Sequence, residues 1–523
     1  MPDTANSNRA LHLLTRAVDN ADKTAILYGG TRISFAELAT QVRITAGALA
    51  KLGIGKGTRV GVMIPSEPEF IVVQQALLML GATVSPLNIF YRPGELVHAI
   101  ASCALEAVVL HADLRDRLPA AARAEADSLR LAILCCDDDD HDGFVSLNQA
   151  RQTATPFAEP AAVASSDIVF LLNTSATTGK SKGVMLTAGN LAANYDATPD
   201  WLGLTGDDVI LCALPLYNTF GLNQCINAML VTGATLVLLP RFEAESCVQA
   251  IRCHGCTFMP AVPTMLQKLI DLPGLLPGAL HTLRLIMTGG APVPAAMLQR
   301  MLAATSREAV ILTGYGLTEG AALVTLRQVT CTADGDIACG KSIGRVLDGM
   351  ELAVMDDNGA LMPRGVPGEF VVRGPNVMAG YYNAPADTAQ ALRDGWLHTG
   401  DIGLIDADGH AFIVDRKKDV IIRGGQNIYP ADIEEIIYGV DGVAEVAVIA
   451  QEDDILGEVP VAFVATRPDC TVTASDILDH CAVYLARYKH PRAVHFLEEL
   501  PKGPTGKILR RGLRDRLAAS SAR

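Results

Sequence analysis

The chain has 523 residues, of which 50% are hydrophobic and 19% charged, and its formal net charge is −14. Such a chain buries much apolar surface but is too long for one hydrophobic core, so two or more domains are predicted. The acidic balance, without a long block of basic residues, argues against nucleic-acid binding. No stretch reaches the ~18 uninterrupted apolar residues that a transmembrane helix needs.

The N-terminus and the cysteines bear on location. Residues 1–9 lack the basic segment and apolar run of a secretory signal. The 12 cysteines are scattered, as reduced thiols in a cytoplasmic protein are. Two clusters, 135–142 and 253–256, hold metal-binding residue types, but their spacing matches no usual zinc site. We therefore expect a cytoplasmic protein in which the first cluster is an acidic loop and the second a helix end that enters a strand.

The N-terminal third alternates strands and helices. Residues 11–52 read as a helix, a hairpin and a second helix, and Ser34 with Glu37 forms a capping-box signature where that second helix begins. Further elements follow in the order strand 59–64, helix 68–80, strand 82–86, helix 93–103 and strand 107–110. Strands that alternate with helices of this length predict a parallel sheet with crossover helices.

A loop rich in hydroxyl groups, glycine and lysine follows the strand 168–172. Its sequence is Thr174-Ser-Ala-Thr-Thr-Gly-Lys-Ser-Lys-Gly183, and its backbone N–H groups suit a phosphate. A flexible surface turn has the same composition. Gly179-Lys180-Ser181 looks like the end of a Walker loop, but Thr174 stands where that loop requires a glycine, so a P-loop NTPase is disfavoured.

The alternation resumes after this loop. The predicted helices are 190–197, 222–231, 244–254 and 263–270, and the predicted strands are 209–213, 235–239, 257–259, 285–288 and 309–312. The strand 285–288 ends in Gly289-Gly290-Ala291-Pro292. These glycines either let the backbone approach a flat ligand or form a tight turn from strand to helix.

The character of the chain changes beyond Gly340. Short segments such as 351–355 and 368–373, separated by turn residues, predict a small antiparallel β unit. From Val420 a strand, helix, strand pattern restarts, with helices expected at 432–438 and 474–485. The predicted organisation is an N-terminal domain at 1–415 with a β-rich part at about 340–415, a hinge at 416–418 and a C-terminal domain at 419–523.

Three further stretches carry functional groups. Tyr315-Gly-Leu-Thr-Glu319 offers an aromatic face, a hydroxyl and a carboxylate, enough to stack a base, hold phosphate and coordinate Mg²⁺. Asp401 suits the two hydroxyls of a ribose, and Arg416 suits the same ribose or a phosphate. Near the C-terminus, Lys507 lies on a glycine-proline turn from which a mobile domain could deliver a positive charge.

In this set and order, the motifs resemble those of the adenylate-forming superfamily, which includes acyl-CoA synthetases, coumarate CoA ligases, luciferases and the adenylation domains of peptide synthetases. The resemblance covers essentially the whole chain. It implies an α/β fold: a large N-terminal domain of parallel α/β sheets with a small β-barrel-like subdomain, and a small α+β C-terminal lid. It also implies that a carboxylic acid is activated with ATP and Mg²⁺ and that the acyl group passes from AMP to the thiol of coenzyme A.

The resemblance assigns roles to individual residues. Lys507 would bridge the substrate carboxylate and the α-phosphate, while Thr318 and Glu319 would contact phosphate and Mg²⁺. Lys418 would be the hinge of a rotating C-terminal domain, and Gly424 with Gly425 would line the thiol tunnel. The residues assigned to ATP are Thr174, Ser175, Thr177, Thr178, Gly179, Lys182, Gly290, Ala291, Tyr315, Asp401 and Arg416.

The acyl pocket implied by the family is neutral. No aspartate follows Asn218 to hold an amino group and no arginine is placed to hold a second carboxylate, so a fatty or aryl monocarboxylic acid is expected. Three residues depart from the family pattern: Ala176 replaces glycine, Ser181 replaces proline and Asn218 replaces histidine. The pocket residues are Tyr217, Asn218, Phe220, Gly221, Gly289 and Gly314.

Three functions remain open. An acyl-CoA synthetase is favoured because no insertion precedes the hinge and because 488–492 offers charges for the phosphates of coenzyme A. The second is a ligase that loads the phosphopantetheine of an acyl carrier protein, and the third is a luciferase-like oxygenase or a degenerate nucleotide-binding module. The expected partners are a small carboxylic acid, ATP and coenzyme A, with no nucleic acid, and the expected state is a monomer or homodimer.

Overall fold

The structure is a computed structural model. It describes residues 6–135, 143–174, 181–289, 293, 295–306, 308–330, 340–467, 470–502 and 508–521, without the side chains of 295, 296 and 518–521. The described residues fall into two compact units: unit 1 is drawn from 6–174, 181–352 and 372–397, and unit 2 from 353–371 and 398–521. The domain boundary expected at 416–418 stays a prediction.

The strands are short, as the alternating apolar runs predict. In chain order they are β1 (Thr24–Tyr28), β2 (Thr31–Ser34), β3 (Arg59–Met63), β4 (Thr83–Pro86), β5 (Ala107–His111), β6 (Leu131–Cys135), β7 (Val145–Ser146), β8 (Ile168–Asn173), β9 (Gly183–Thr187), β10 (Val209–Cys212), β11 (Thr235–Leu238), β12 (Phe258–Ala261), β13 (Leu285–Gly289), β14 (Val310–Leu317), β15 (Ala322–Gln328), β16 (Arg345–Val346), β17 (Glu351–Met355), β18 (Gly368–Arg373), β19 (Gly380–Tyr381), β20 (Leu392–Arg393), β21 (Trp396–Ile405), β22 (Ala411–Arg416), β23 (Ile421–Arg423), β24 (Gln426–Ile428), β25 (Val443–Asp453), β26 (Gly457–Thr466) and β27 (Val494–Phe496).

The helices lie between these strands. They are α1 (Leu11–Asp19), α2 (Phe35–Lys51), α3 (Pro68–Met79), α4 (Pro93–Ser102), α5 (Ala120–Glu125), α6 (Leu147–Gln152), α7 (Ala188–Leu191), α8 (Thr198–Leu202), α9 (Thr219–Gly221), α10 (Ala228–Thr232), α11 (Ala244–His254), α12 (Pro263–Ile270), α13 (Ala295–Ala304), α14 (Pro385–Ala391), α15 (Pro430–Tyr438), α16 (Ala474–Tyr484) and α17 (Arg510–Ser521). Within the part of the chain that the structure describes, no helix has both the length and the apolar character needed to cross a membrane.

Two mixed sheets form unit 1. The first has the strand order β16-β15-β14-β13-β12-β10-β11-β1-β2 and the second β19-β9-β8-β4-β3-β5-β6-β7. The central strands of both sheets are parallel, while β2, β15 and β16 in the first sheet and β9 and β19 in the second pair antiparallel. The predicted parallel α/β architecture is therefore present, and antiparallel strands extend both sheets at their edges.

Helix α3 lies inside the core of unit 1. Every residue from 70 to 79 is buried, so the helix has no solvent-facing stripe. A helix that is buried on all sides is typical of the core of a large protein, and α3 places even Gln74 and Gln75 there. By contrast, α2 is partly exposed and begins as predicted: Glu37 N–H donates to Ser34 Oγ at 3.2 Å, and Ser34 N–H donates to Glu37 Oε2 at 2.7 Å.

Two predicted helices have a different geometry. The segment expected at 190–197 contains a π-helical turn at Ala192–Asp196, and the segment expected at 222–231 begins with another at Leu222–Asn227. Buried side chains donate hydrogen bonds to backbone carbonyls in these turns. Asn227 Nδ2 donates to Tyr195 O at 2.6 Å, and Thr198 Oγ1 donates to Asn194 O at 2.8 Å. Such turns satisfy backbone groups outside the usual α-helical pattern.

A third sheet has the order β17-β18-β21-β20, with β22 paired to β21. A fourth sheet, within unit 2, has the order β24-β23-β26-β25, with β27 parallel to β26. Alternate residues of β25 point to opposite faces. Val446 and Val448 lie in one apolar cluster with residues of α15 and α16, while Ala447 and Ile449 lie in another with residues of α17. Helices therefore cover both faces of this sheet.

Candidate active site

Hydrogen bonds join the two ends of the hydroxyl-rich loop, and we call the residues that make them, Thr174, Ser181 and Lys182, the neck. Thr174 N–H donates to Lys182 O at 3.1 Å, and Lys182 N–H donates to Thr174 Oγ1 at 3.4 Å. Ser181 Oγ donates to Thr174 O at 2.7 Å. These bonds tie the end of β8 to the start of β9. The predicted phosphate ligands Ser175, Thr177, Thr178 and Gly179, and the departure Ala176, lie outside the described residues.

A side chain from α4 also contacts the neck. His98 on α4 lies with its Nε2 3.2 Å from Ser181 O. Ser181 is the residue that replaces the proline of the family pattern, and its hydroxyl makes a neck contact that proline lacks. The departure at Ser181 therefore adds a hydrogen bond to the neck.

Lys182 points at a group of side chains from two other segments. Its Nζ lies 2.5 Å from Asp387 Oδ1 and 5.1 Å from the ring centroid of Tyr381. Tyr381 Oη donates to Glu319 Oε1 at 2.9 Å. The structure thus brings together Lys182 and Glu319, which the resemblance assigns to phosphate and Mg²⁺. Tyr381 and Asp387 had no part in that assignment, and no sequence spacing points to them.

Strand β14 is longer than predicted and includes the aromatic residue Tyr315. The strand was expected to end at Leu312, but it continues to Leu317, so Tyr315 lies within it. The extension arises because β15 folds back and pairs with it, placing Tyr315 opposite Thr325. Tyr315 N–H donates to Thr325 Oγ1 at 3.2 Å, and Tyr315 is only 7% exposed. Its stacking on adenine stays a prediction.

Thr318 and Glu319 lie in a single 3₁₀ turn, Thr318–Gly320, directly after β14. The backbone of this turn is anchored by the segment 376–378: Met378 N–H donates to Glu319 O at 2.9 Å, and Asn376 Nδ2 donates to Gly320 O at 2.9 Å. Asn190 Nδ2 in turn donates to Val377 O at 2.8 Å. The predicted metal ligand is therefore held at both its backbone and its side chain.

Glu319 fits the expected Mg²⁺. Magnesium is usually bound by one or two carboxylates together with substrate phosphates and water. Among the described residues, no group of three or more His, Cys, Asp or Glu is arranged to hold a metal ion on its own. A carboxylate that is grouped with Lys182 through Tyr381 matches a site that the phosphates of a nucleotide complete.

The predicted acyl pocket combines close backbone packing with neutral side chains. Gly289 and Gly314 are paired on neighbouring strands, and a Cβ on Gly314 would lie 2.6 Å from Thr325 O. Asn218 precedes the short helix α9, where a Cβ on Gly221 would lie 2.5 Å from Pro215 O. Phe220 is half-buried. Gly290 and Ala291 lie outside the described residues.

Tyr217 has a buried hydroxyl for which the described part of the chain provides no hydrogen-bond partner. Burial, with a smaller contribution from the nearby Tyr91, raises the pKa of Tyr217 to about 12. The phenol is therefore protonated at neutral pH and can donate a hydrogen bond. A buried polar group without a partner is costly, which suits a position that a ligand occupies.

Unit 2 contains the residues assigned to ribose. Arg416 Nε lies 2.6 Å from Asp401 Oδ1, and the two residues are opposite each other in β22 and β21. Asp401 is 4% exposed, whereas the side chain of Arg416 is 49% exposed. The structure brings this predicted pair together, and their contact with ribose stays a prediction.

The segment after Arg416 is fixed by charged side chains that sequence reasoning did not identify. Lys418 lies in the turn Lys417–Asp419, and burial lowers its pKa. Asp419 Oδ1 is 2.6 Å from Arg514 Nη2, and its Oδ2 is 3.3 Å from Arg510 Nη1. These partners are 95 and 91 residues apart in sequence, so only the fold reveals them.

Asp415 lies beside the same group. Burial raises its pKa to about 6, although Ala431 N–H donates to its Oδ2 at 2.9 Å. Arg510 Nη1 is 4.0 Å from its Oδ1. The desolvation of this carboxylate outweighs the stabilisation that its neighbours provide.

Gly424 and Gly425 form the two-residue turn between β23 and β24, with φ of +56° and +82°. Two consecutive left-handed residues are typical of a tight hairpin and require glycine or asparagine. The turn borders an open cavity of about 520 Å³ lined by Arg423, Gly424, Gln426, Leu456, Arg487 and Tyr488. Lys507, the predicted adenylation lysine, lies outside the described residues.

Two family models match long parts of this chain. Residues 13–382 match the AMP-binding enzyme family, and residues 432–507 match the AMP-binding enzyme C-terminal domain. The first match contains Lys182, Tyr315 and Glu319, and the second ends at Lys507.

Known relatives span nearly the whole chain. A 3-[(3aS,4S,7aS)-7a-methyl-1,5-dioxo-octahydro-1H-inden-4-yl]propanoyl:CoA ligase of Rhodococcus jostii (strain RHA1) is 35% identical over 508 residues, covering 94% of this chain and 95% of the relative. The 4-coumarate–CoA ligase 5 of Oryza sativa subsp. japonica is 32% identical, covering 97% and 94%. The ATP-bound MatB of Rhodopseudomonas palustris has a similar structure, with a TM-score of 0.88, 32% identity and coverage of 98% and 99%.

Proposed function

The chain belongs to the AMP-binding enzyme family, and we propose that it couples a ring-bearing monocarboxylic acid to coenzyme A through an acyl-AMP intermediate. The family expected from the motifs is confirmed, and so is the α/β fold with its large N-terminal and small C-terminal parts. The chain is an AMP-forming acid–thiol ligase that uses ATP, Mg²⁺ and coenzyme A. The proposal concerns the acid and the residues that act on it.

The observation that carries the proposal is the grouping of Lys182, Tyr381 and Glu319 beside the closed neck of the loop. A carboxylate is repelled by the polyphosphate that it must attack, so cationic groups must offset that repulsion. Lys182 supplies one positive charge at the neck. Glu319 would hold the Mg²⁺, which neutralises phosphate charge and stabilises the departing pyrophosphate.

The ring-bearing acid is proposed from the described pocket residues. Tyr217, Asn218 and Phe220 are neutral, and the buried Tyr217 hydroxyl is available as a donor. No charged side chain occurs among Tyr217, Asn218, Phe220, Gly221, Gly289 and Gly314 to pair with a second carboxylate or an amino group. The indane-propanoyl and coumarate ligases named above act on ring-bearing acids, which supports the same class here.

The acceptor half-reaction is proposed to involve unit 2. The Gly424-Gly425 turn places backbone without side chains beside a cavity whose lining includes Arg423 and Arg487. Two guanidinium groups at an open cavity suit the phosphates of coenzyme A. Lys507 is proposed to contact the α-phosphate in the first half-reaction and Lys418 to be the hinge between the two.

We also propose that the enzyme works in the cytoplasm as a monomer or homodimer. Every described cysteine is a free thiol, which a reducing compartment maintains. Size measurement by light scattering will decide the oligomeric state.

The function is tested by pyrophosphate release. Purified enzyme with ATP and Mg²⁺ is offered cinnamic, phenylpropanoic, alicyclic and straight-chain acids, and release with the ring-bearing acids is expected. Coenzyme A and a holo carrier protein are then compared as acceptors, and thioester formation with free coenzyme A is expected. Absence of pyrophosphate release with every acid would contradict the proposal.

A further inference from the structure

Tyr381 is the side chain in unit 1 that contacts both of the ATP-directed groups. Its hydroxyl donates to Glu319 Oε1 at 2.9 Å, while its ring centroid lies 5.1 Å from Lys182 Nζ. The cation is therefore within the distance at which the negative face of an aromatic ring attracts an ammonium group. One phenol thus links two residues separated by more than a hundred positions in the sequence.

The backbone of Tyr381 is fixed on both sides. Tyr381 pairs with Val184 across β19 and β9, and β9 begins directly after Lys182. Its N–H donates to Thr388 Oγ1 at 2.9 Å in α14. The phenol therefore starts from an anchored position, so its contacts restrict Lys182 and Glu319.

The chemistry of the phenol suits this arrangement. The phenolic hydroxyl donates to the Glu319 carboxylate, and a phenol group brings no positive charge that would compete with Lys182 for the phosphates. A hydrogen bond to an ionised acceptor is stronger than one between neutral groups. Glu319 is thereby held with one carboxylate oxygen occupied.

Asp387 is the second side chain that contacts Lys182. Its Oδ1 lies 2.5 Å from Lys182 Nζ, and both side chains are about two-fifths exposed, at 39% and 40%. Exposure screens this ion pair, so it orients the lysine more than it stabilises the fold. Lys182 is thus held between a carboxylate and an aromatic face.

We infer that Tyr381 is a positioning residue that sets the spacing between the Lys182 ammonium and the Glu319 carboxylate for the β,γ-phosphates and metal of MgATP. This inference rests on the proposed function, because it assigns the two groups to phosphate and Mg²⁺. It predicts that a change at Tyr381 weakens the binding of MgATP but not the binding of AMP. AMP has no β- or γ-phosphate, so its binding should not depend on Tyr381.

Calorimetry with two nucleotides tests the inference without turnover. The probes are AMP and a non-hydrolysable α,β-methylene ATP analogue, titrated at a series of Mg²⁺ concentrations. Tyr381→Phe retains the ring and removes the hydroxyl, and we expect about tenfold weaker binding of the ATP analogue at low Mg²⁺, with recovery at high Mg²⁺. AMP affinity should stay within about twofold of the wild type. Tyr381→Leu removes the ring as well, and the loss should then persist at high Mg²⁺.

Tyr382→Phe is the matched control. The neighbouring Tyr382 packs its ring against Arg59, with the guanidinium carbon 5.5 Å from the ring centroid. Within the described part of the chain, no side-chain hydrogen bond or ring contact joins Tyr382 to Lys182 or Glu319. Removing its hydroxyl should leave both nucleotide affinities unchanged. If Tyr381→Leu fails to fold, Tyr381→Phe alone still decides the question.

Two results would overturn the inference. One is wild-type Mg²⁺ dependence in Tyr381→Phe, and the other is an equal loss of AMP and analogue binding, which would indicate a general structural role. The proposed function fails separately. In that case the wild-type enzyme itself would bind neither nucleotide.

Discussion

Asp401 and Arg416 face each other across β21 and β22 with 2.6 Å between Oδ1 and Nε, and the carboxylate is buried while the guanidinium is half exposed. The buried partner is held in place by the exposed one. A ribose that bonds to Asp401 would meet a carboxylate whose orientation is already fixed. Replacing Asp401 should therefore affect nucleotide binding more than stability.

We expect Asp401→Asn to raise the KM for ATP by at least about tenfold, since a charged hydrogen-bond acceptor is lost. The measurement is pyrophosphate release at varied ATP. Glu351→Gln is the control, because Glu351 forms a comparable pair with Arg373 at 2.6 Å while 57% exposed. An unchanged KM in Asp401→Asn would remove Asp401 from the nucleotide site.

The neck of the loop makes Ser181 testable. Ser181→Ala loses the 2.7 Å bond to Thr174 O, which is worth about 1 kcal/mol, so the KM for ATP should rise about fivefold with kcat little changed. Ser102→Ala is matched, because Ser102 Oγ donates to Ala99 O of its own helix at 3.1 Å and lies 3.9 Å from Cys103 Sγ. A change in kcat alone would show that the neck does not act on ATP binding.

The paired glycines of the acyl pocket predict a packing effect. A Cβ on Gly314 would lie 2.6 Å from Thr325 O and 3.1 Å from the Met287 methyl, so Gly314→Ala should lower the free energy of unfolding by about 1–3 kcal/mol. Urea unfolding measures this. Gly94→Ala in α4 is the control, since nothing lies within 4 Å of its Cβ position and the change should be neutral or stabilising.

Asp415 predicts a pH dependence. Its pKa in the folded protein is about 6, raised from a usual value of 3.8, so folding favours the protonated carboxyl. The stability contribution is fully present below pH 3.8 and is lost as the pH rises through about 6. We expect Asp415→Asn to gain stability relative to the wild type between pH 4 and pH 7, by up to about 3 kcal/mol.

Denaturant midpoints of the full chain at pH 4.5 and pH 7 provide the measurement for Asp415. Asp406→Asn serves for comparison, because Asp406 accepts hydrogen bonds in a surface turn, including one from His410 N–H at 2.8 Å. A parallel pH response of wild type and Asp415→Asn would contradict the prediction.

Local sequence chemistry predicted the parts of the fold that depend on neighbouring residues. The cap formed by Ser34 and Glu37 involves residues three positions apart, and the alternation of β3 to β5 with their helices follows from apolar periodicity. The π-helical turns did not follow, because the side chain of Asn227 reaches Tyr195, which lies 32 positions away. The length of β14 likewise depends on its pairing with β15.

Some residues of the candidate site could be predicted from motifs, and others are revealed only by the fold. Lys182, Glu319, Asp401 and Arg416 were selected from motifs, and the structure brings them together in two pairs within their units. Tyr381 and Asp387 were not selected, since their importance comes from sheet pairing between β19 and β9 and not from a pattern along the chain. The pairing of Asp419 with Arg510 could not be predicted either, because the two residues are 91 positions apart in the sequence.

The last helix, α17, has a practical consequence for handling the protein. Arg510 and Arg514 on this helix pair with Asp419, which is 8% exposed, and Arg510 also pairs with Glu434 at 2.6 Å. Cutting the chain before residue 510, by design or by a contaminating protease, would remove the guanidinium partners of Asp419 and Glu434 and leave these neighbouring negative charges uncompensated. Affinity tags belong at the N-terminal end, and shortened versions of unit 2 need a substitute for both guanidinium groups.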